Sequence, residues 1–359
     1  MANLRLENVT HKYTEEVTAV SDVDWSIPDG TAAGLLGPSG CGKTTLMKII
    51  AGLLKQTEGK VYFDDQEMSE LTTQERNLCM VFQFPVVYTN MTIGGNMRFP
   101  LRNMGYPEGE IERKVREAAE VLGMTDILDK SGRGLGPGDK QLVSLGRAIV
   151  RDSPNVILLD EPLTDVEPER RLELRRTLKV VQREMKSTMV YVTHDQTEAL
   201  TFSDKIAIMR GGRLLQYASK DELFYNPAEP FVGTFIGSPG MNFFDCSMSE
   251  GGLDSGEFTL KISEKVRAVL EEHDTKFTVG VRPELTEISA TKRGDWIPFR
   301  CDMVEFQGNL DVFSLMKGEI QIMVSAPIGK FEVSKGDEVW IRFPAEHTRI
   351  YGRNGKLLI

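Results

Sequence analysis

The stretch LLGPSGCGKTTL, residues 35–46, decides the fold. Gly37, Pro38, Ser39, Gly40, Cys41, Gly42, Lys43 and Thr44 satisfy the pattern G-x-x-x-x-G-K-[ST]. The pattern follows the apolar run TAAGLL and opens the helical stretch TTLMKIIAGLL. Strand, glycine loop and helix, in that order, is the setting it requires. Glycines let successive backbone N–H groups curl around a phosphate, and the helix N-terminus adds partial positive charge. Lys43 is placed to reach the terminal phosphates of a nucleotide and Thr44 to offer its hydroxyl to Mg²⁺; Thr45 follows and joins the nucleotide-binding set.

Outward from this loop, strands and helices alternate. VSDVDWSI, KVYF, LCMVF, NVILLD, TMVYVT and KIAIMR read as strands. IERKVREAAEVL places Ile111, Val115, Ala118 and Leu122 on one helical face, and PERRLELRRTLKVVQREM is a charged helix with Pro168 at its start. The order predicts a mainly parallel sheet covered on both faces, with a helical insertion over about residues 85–151. Asp160 ends the run VILLD, a good position for an Mg²⁺ ligand, and Glu161 beside it is placed to act as general base on an attacking water. His194 follows the strand TMVYVT. Gln83 follows LCMVF, where its amide could reach Mg²⁺ and the water.

After Phe235 the texture changes. GSPGMNFF is a junction, and FTVGVR, FRCDMVEF, DVFSLM, EIQIMV and EVWIRF are short strand-like pieces separated by turns. This predicts residues 1–236 as an α/β nucleotide-binding domain and 237–359 as a small all-β sandwich or barrel.

Together, LLGPSGCGKTTL, VFQ, LLDEPL, YVTHDQTEAL, FIGSPGMNFF and GVRPE resemble the ATP-binding subunits of ABC transporters, in the branch that imports sugars, polyols and glycerol phosphate. The likeness runs almost the full length. It implies a P-loop ABC ATPase domain with a helical insertion, followed by an OB-like accessory domain. It implies that the Lys43 loop and Asp160 hold MgATP, that Glu161 is the base, that His194 senses the γ-phosphate, and that Gln83 links the site to membrane subunits. Tyr13 matches an aromatic that stacks on adenine, although an ordinary strand-end tyrosine fits it equally. Such subunits dimerise head to tail, each ATP lying between the loop of one and a signature motif of the other. They dock two integral membrane permeases, served by a periplasmic or lipoprotein solute-binding protein. The dock maps onto Phe84 to Met91 and neighbours in the helical block, and the chain is expected at the cytoplasmic face of the cell membrane.

The family's signature is LSGGQ. Here it reads Leu135, Gly136, Pro137, Gly138 and Asp139, so three of five positions differ. Gly136 lacks the serine hydroxyl, Pro137 has no N–H to donate, and Asp139 turns a negative charge toward a nucleotide. At an effective dielectric of about 20, two such charges about 4 Å apart interact by about 4 kcal/mol. Pro and Asp nonetheless suit the first turn of a helix, so the changes are expected to remove chemistry and spare the fold. The loop that usually reads SNLD is Thr164, Asp165, Val166 and Glu167. The implied partner is a second, unlike ATPase with an intact signature, a homodimer being the alternative, and the implied solute leans toward glycerol. An ATP-binding regulatory subunit with little hydrolysis is the other reading.

Composition narrows the class. The 359 residues are 40% apolar and 27% charged, with net charge −10, which disfavours nucleic acid as a partner. The four cysteines, Cys41, Cys79, Cys246 and Cys301, form no metal-ligand spacing and read as reduced thiols. Cys41, inside the phosphate loop, is either a favoured thiolate or an inert small residue. No signal peptide or membrane-spanning run is visible. A repair or translation ATPase would add a coiled coil or a second cassette, and a P-loop kinase would lack the ordered DEP, THD and signature-like segments.

Overall fold

The computed structural model describes residues 2–152 and 154–359. Contacts divide the chain into a unit ending at Lys220 and one beginning at Asp221.

The first unit carries two sheets. Strands β1 (Leu4–Lys12), β2 (Thr18–Ile27), β4 (Glu58–Phe63) and β5 (Gln66–Glu67) form an antiparallel sheet in the order β2-β1-β4-β5. Strands β3 (Ala32–Leu36), β6 (Cys79–Val81), β7 (Ile157–Asp160), β8 (Met189–Thr193), β9 (Lys205–Arg210) and β10 (Arg213–Ala218) form a second, in the order β10-β9-β3-β8-β7-β6. All its pairings are parallel except that of β10 with β9. The parallel sheet was legible in the sequence, whereas the separate antiparallel sheet was not, because KVYF and VSDVDWSI carry no mark of which sheet they join. LCMVF shortens to Cys79–Val81.

The apolar runs follow from burial on both faces. Along β7, Leu158 faces a core with Leu35, Val190, Val192 and the helix α1 (Lys43–Ile50). Its neighbours Ile157 and Leu159 face the opposite core. That second core is built with α2 (Ile93–Asn103), α3 (Glu108–Val121), α4 (Pro137–Ile149) and α5 (Pro168–Met185). Ile111, Val115, Ala118 and Leu122 are all buried in it. Helices α2 to α4 lie between β6 and β7 in sequence, as the insertion requires. Helix α6 (Gln196–Phe202) follows β8.

Arg76 anchors the far end of α1. Its buried guanidinium donates to the carbonyls of Ile49 and Ile50 at 2.7 and 2.8 Å and to that of Leu71 at 3.1 Å. Gly52, at φ +72, leaves room for it: a Cβ there would stand 2.7 Å from Arg76 Nε.

The second unit contains α7 (Lys220–Tyr225, its first residue belonging to the first unit), α8 (Pro230–Phe235) and two five-stranded sheets. One comprises β11 (Asn242–Ser249), β12 (Gly252–Asp254), β13 (Thr259–Leu260), β14 (Lys276–Val281) and β20 (Thr348–Tyr351), in the order β13-β12-β11-β14-β20. The other comprises β15 (Glu287–Ser289), β16 (Ile297–Phe306), β17 (Leu310–Lys317), β18 (Ile320–Pro327) and β19 (Glu338–Arg342), in the order β15-β19-β16-β17-β18. Phe244, Phe277, Phe299, Phe313 and Val339 share one core. The β reading of this segment omitted one helix, α9 (Glu264–Glu271), capped by Ser263. Residues 221–236 join this unit, ahead of the expected division at 236. Arg282 of GVRPE accounts for part of this, donating to the carbonyls of Phe224 and Gly233 at 3.0 and 2.9 Å and also to that of Ile236.

Replacing Arg76 with methionine strips buried carbonyls of their partner. The expected loss of unfolding free energy is about 3 kcal/mol or more. It is read as a drop in the urea midpoint, and an unchanged midpoint would refute the capping role.

Candidate functional site

Register brings the expected residues together. Leu36 of β3 pairs with Thr193 of β8, Asp160 of β7 with Val192 of β8, and Val81 of β6 with Leu159 of β7. The phosphate loop, Glu161, His194 and Gln83 each follow one of these strand ends. All of them leave the sheet at its carboxyl edge, where open parallel sheets bind ligands.

The loop is shaped by close approach. A Cβ on Gly37 would stand 2.2 Å from the Met209 carbonyl, and one on Gly42, at φ +104, 2.2 Å from the Ala19 carbonyl. Gly40 has φ +76 and open space around it. Ser39 is exposed and Pro38 half-buried. The Lys43 ammonium is buried beneath the loop and donates to the carbonyls of Gly37 and Pro38 at 2.8 and 3.0 Å. Thr44 is exposed at the first turn of α1. Tyr13 is 54% exposed, and its hydroxyl lies 3.3 Å from Thr45 Oγ1, so the ring stands beside the loop.

Asp160 is buried, and its Oδ1 has no hydrogen-bond partner among the described residues. Burial, then the neighbouring charge of Glu161, pushes its carboxyl up, while Lys48, Thr44 and Lys43 pull it down. An unpaired carboxylate oxygen beside a threonine hydroxyl suits Mg²⁺, which takes one or two carboxylates with substrate phosphates. Glu161 is at φ +44, an uncommon conformation for a non-glycine residue. His194 Nδ1 is 3.2 Å from Glu161 Oε2, and the Thr164 hydroxyl donates to the same oxygen at 3.2 Å. Gln83 is half-buried two residues beyond β6.

Two supporting acids escaped the sequence reading. Glu198 is buried and accepts from the Thr193 and Tyr191 hydroxyls at 2.7 and 3.1 Å, and Asp195 caps α6. An acid in the first turn after THD was the available signal, but its burial was invisible. Arg171 donates to the carbonyls of Val166 and Thr164 at 2.8 and 3.1 Å and holds the loop before α5.

Of the two readings of Cys41, burial favours the inert small residue. The thiol is buried, and loss of solvent raises its pKa from 9.0 despite nearby Lys43. The signature segment forms the expected helix start, with Gly136 as N-cap and Pro137 first in α4. Leu135 packs against the helical core, Gly138 is buried, and Asp139 is paired with Arg170 at 2.8 Å. The bare negative charge expected there is therefore neutralised locally, because α5 starts alongside.

The stretch from Phe84 to Met91 is partly exposed. Phe84 is 70% exposed and Val86 is exposed too, but Tyr88 is half-buried, its ring 4.7 Å from the Arg147 guanidinium. A groove of 220 Å³ runs along Phe82, Val86, Pro100, Ser144 and Arg147.

Residues 20–164 match the ABC transporter family model and 237–285 the MalK OB fold domain. The trehalose/maltose import ATP-binding protein MalK of Thermococcus litoralis is 44% identical over 79% of this chain and 78% of its own. The xylose/arabinose import ATP-binding protein XacK of Haloferax volcanii is 37% identical over 100% and 96%. The chain belongs to the ABC transporter ATPases. A further relative is the sn-glycerol-3-phosphate import ATP-binding protein UgpC of Chromohalobacter salexigens, 35% identical over 99% of this chain and 95% of its own. The solved structure of cbiO1 from Clostridium perfringens, part of the ABC transporter complex cbiONQ, is similar with TM-score 0.58 and 27% identity, over 62% of this chain and 90% of that one. This ABC ATPase binds and hydrolyses ATP, and its second unit is of the MalK OB type. Among the described residues no helix is long and apolar enough to cross a membrane.

Two measurements test the site. Gly37→Ala drives a methyl into backbone and is expected to weaken ATP binding by calorimetry at least about tenfold, whereas Gly40→Ala meets only a backbone strain of about 1 kcal/mol and keeps most of it. Cys41 is expected to resist alkylation at pH 7. A raised pKa keeps the thiol protonated, so its rate should still be climbing above pH 9.0, and a plateau below that value would contradict the burial argument.

Proposed function

We propose that this chain energises an ABC importer for a sugar, polyol or glycerol phosphate, glycerol being favoured, as one of two unlike ATPase subunits. The observation that carries the unequal pairing is a contrast within one chain. The carboxyl edge of the sheet holds a full set of Lys43, Asp160, Glu161 and His194, while Gly136, Pro137 and Asp139 replace the signature groups that would meet a partner's nucleotide. The relatives' printed import roles support the solute class.

In this reading the loop amides from Gly37 to Thr45 cradle the phosphates, and Lys43 turns its ammonium from loop carbonyls to phosphate oxygens. Tyr13 stacks on the adenine. Thr44, Asp160 and Gln83 would hold Mg²⁺, whose charge would offset that of the phosphates. Glu161 takes the proton of the attacking water, and His194 orients Glu161 and contacts the γ-phosphate. Permease subunits dock in the groove at Phe82, Val86 and Pro100, which keeps the chain peripheral at the cytoplasmic face of the cell membrane, and a solute-binding protein delivers cargo to them. Dimer contacts come partly from the OB-type unit.

ATPase rates are measured for the chain alone and mixed with its candidate paralogue, with Glu161→Gln in each by turn. The expected outcome is slow turnover alone, fast turnover mixed, and loss of most activity on Glu161→Gln in this chain. Full-rate hydrolysis by the pure chain would instead establish a homodimer with a working variant signature.

A further inference from the structure

Asp139 is unusual at the end of a signature, and it is not alone. Arg170, in the first turn of α5, donates through Nη2 to Asp139 Oδ1 at 2.8 Å. The same guanidinium lies over Gly138, where an added Cβ would stand 3.3 Å from Nη1. The Arg170 side chain is 41% exposed, so the fork reaches solvent beside the motif. Among the described residues Asp139 is the acceptor it meets, which leaves Nη1 and Nε able to donate elsewhere. A half-exposed ion pair contributes little to stability, so holding the helices together is a weak reason for it.

We propose that Arg170 is the phosphate-facing donor of this chain's signature. Asp139 holds one edge of the guanidinium over the first turn of α4. The other edge meets the terminal phosphate of the nucleotide carried by a second subunit. It replaces the hydroxyl absent from Gly136 and the N–H absent from Pro137. A planar fork with five donors engages a carboxylate and a phosphate oxygen at once, and a bond between charged groups is stronger than the neutral hydroxyl contact it replaces. Asp139 and Arg170 together are neutral, which offsets the repulsion expected from Asp139 alone, while Glu167 and Glu173 add their own charges beside the guanidinium. Arg170 is thus a binding residue and Asp139 a positioning residue. The proposal rests on the reading that Leu135 to Asp139 faces a partner's ATP.

The importer is purified through a tag on this chain carrying Glu161→Gln, so that its second ATPase subunit comes with it, and radiolabelled ATP is titrated. Arg170→Ala is expected to raise the half-saturating concentration of one bound nucleotide about tenfold or more. Arg170→Lys should recover part of that. Asp139→Asn should stay within about threefold, because its amide oxygen still accepts from Arg170. The pair Asp139→Asn with Arg170→Ala should remain weak, since the donor is gone. Unchanged binding in Arg170→Ala overturns the proposal. So does full recovery in the double variant, which would reduce Arg170 to a neutraliser of Asp139. Weakening of both nucleotides instead of one supports the donor role and refutes the unequal pair.

Discussion

The parallel ladder of β6, β7, β8 and β3 is the constraint on which the site depends. Val81 pairs with Leu159, Asp160 with Val192, and Leu36 with Thr193, so four chain segments leave the sheet at one edge. Slipping a strand by one residue would exchange its two apolar faces, and the cores on both sides forbid it. Leu158 belongs to one core and Leu159 to the other. Packing that has nothing to do with nucleotide thus sets the distance between Lys43 and Glu161.

Local cost accumulates at that edge. Glu161 accepts a left-handed backbone, Asp160 keeps an unpaired oxygen in the interior, and Lys43 is buried under its own loop. Each is a choice that stability alone would reject. They persist because the neighbouring structure is firm. Arg76 closes the far end of α1, and Glu198 ties β8 to α6 through two hydroxyls.

The signature segment illustrates how fold and chemistry separate. Pro137 begins α4 where its missing N–H costs nothing, and Gly136 caps the helix in an extended conformation. The helix is therefore intact although three of its motif positions differ from the family's LSGGQ. What changes is the set of groups displayed at its start, and Arg170 is now among them.

The sequence by itself determined the nucleotide loop, the parallel strands, the helical insertion and the β-rich second part. Each is a local pattern: glycine spacing before Lys43, continuous apolar runs such as VILLD, the helical face of Ile111 and Val115, and short strands between turns. Only the tertiary structure decided the rest, because it depends on distant pairs. Sheet membership of KVYF, the attachment of α7 and α8 through Arg282, the burial of Cys41, the packing of Tyr88 on Arg147, and the meeting of Asp139 with Arg170 all join residues far apart in the chain. Spacing along a chain reports the conformation of neighbours, while charge balance and burial are set by whatever packs alongside.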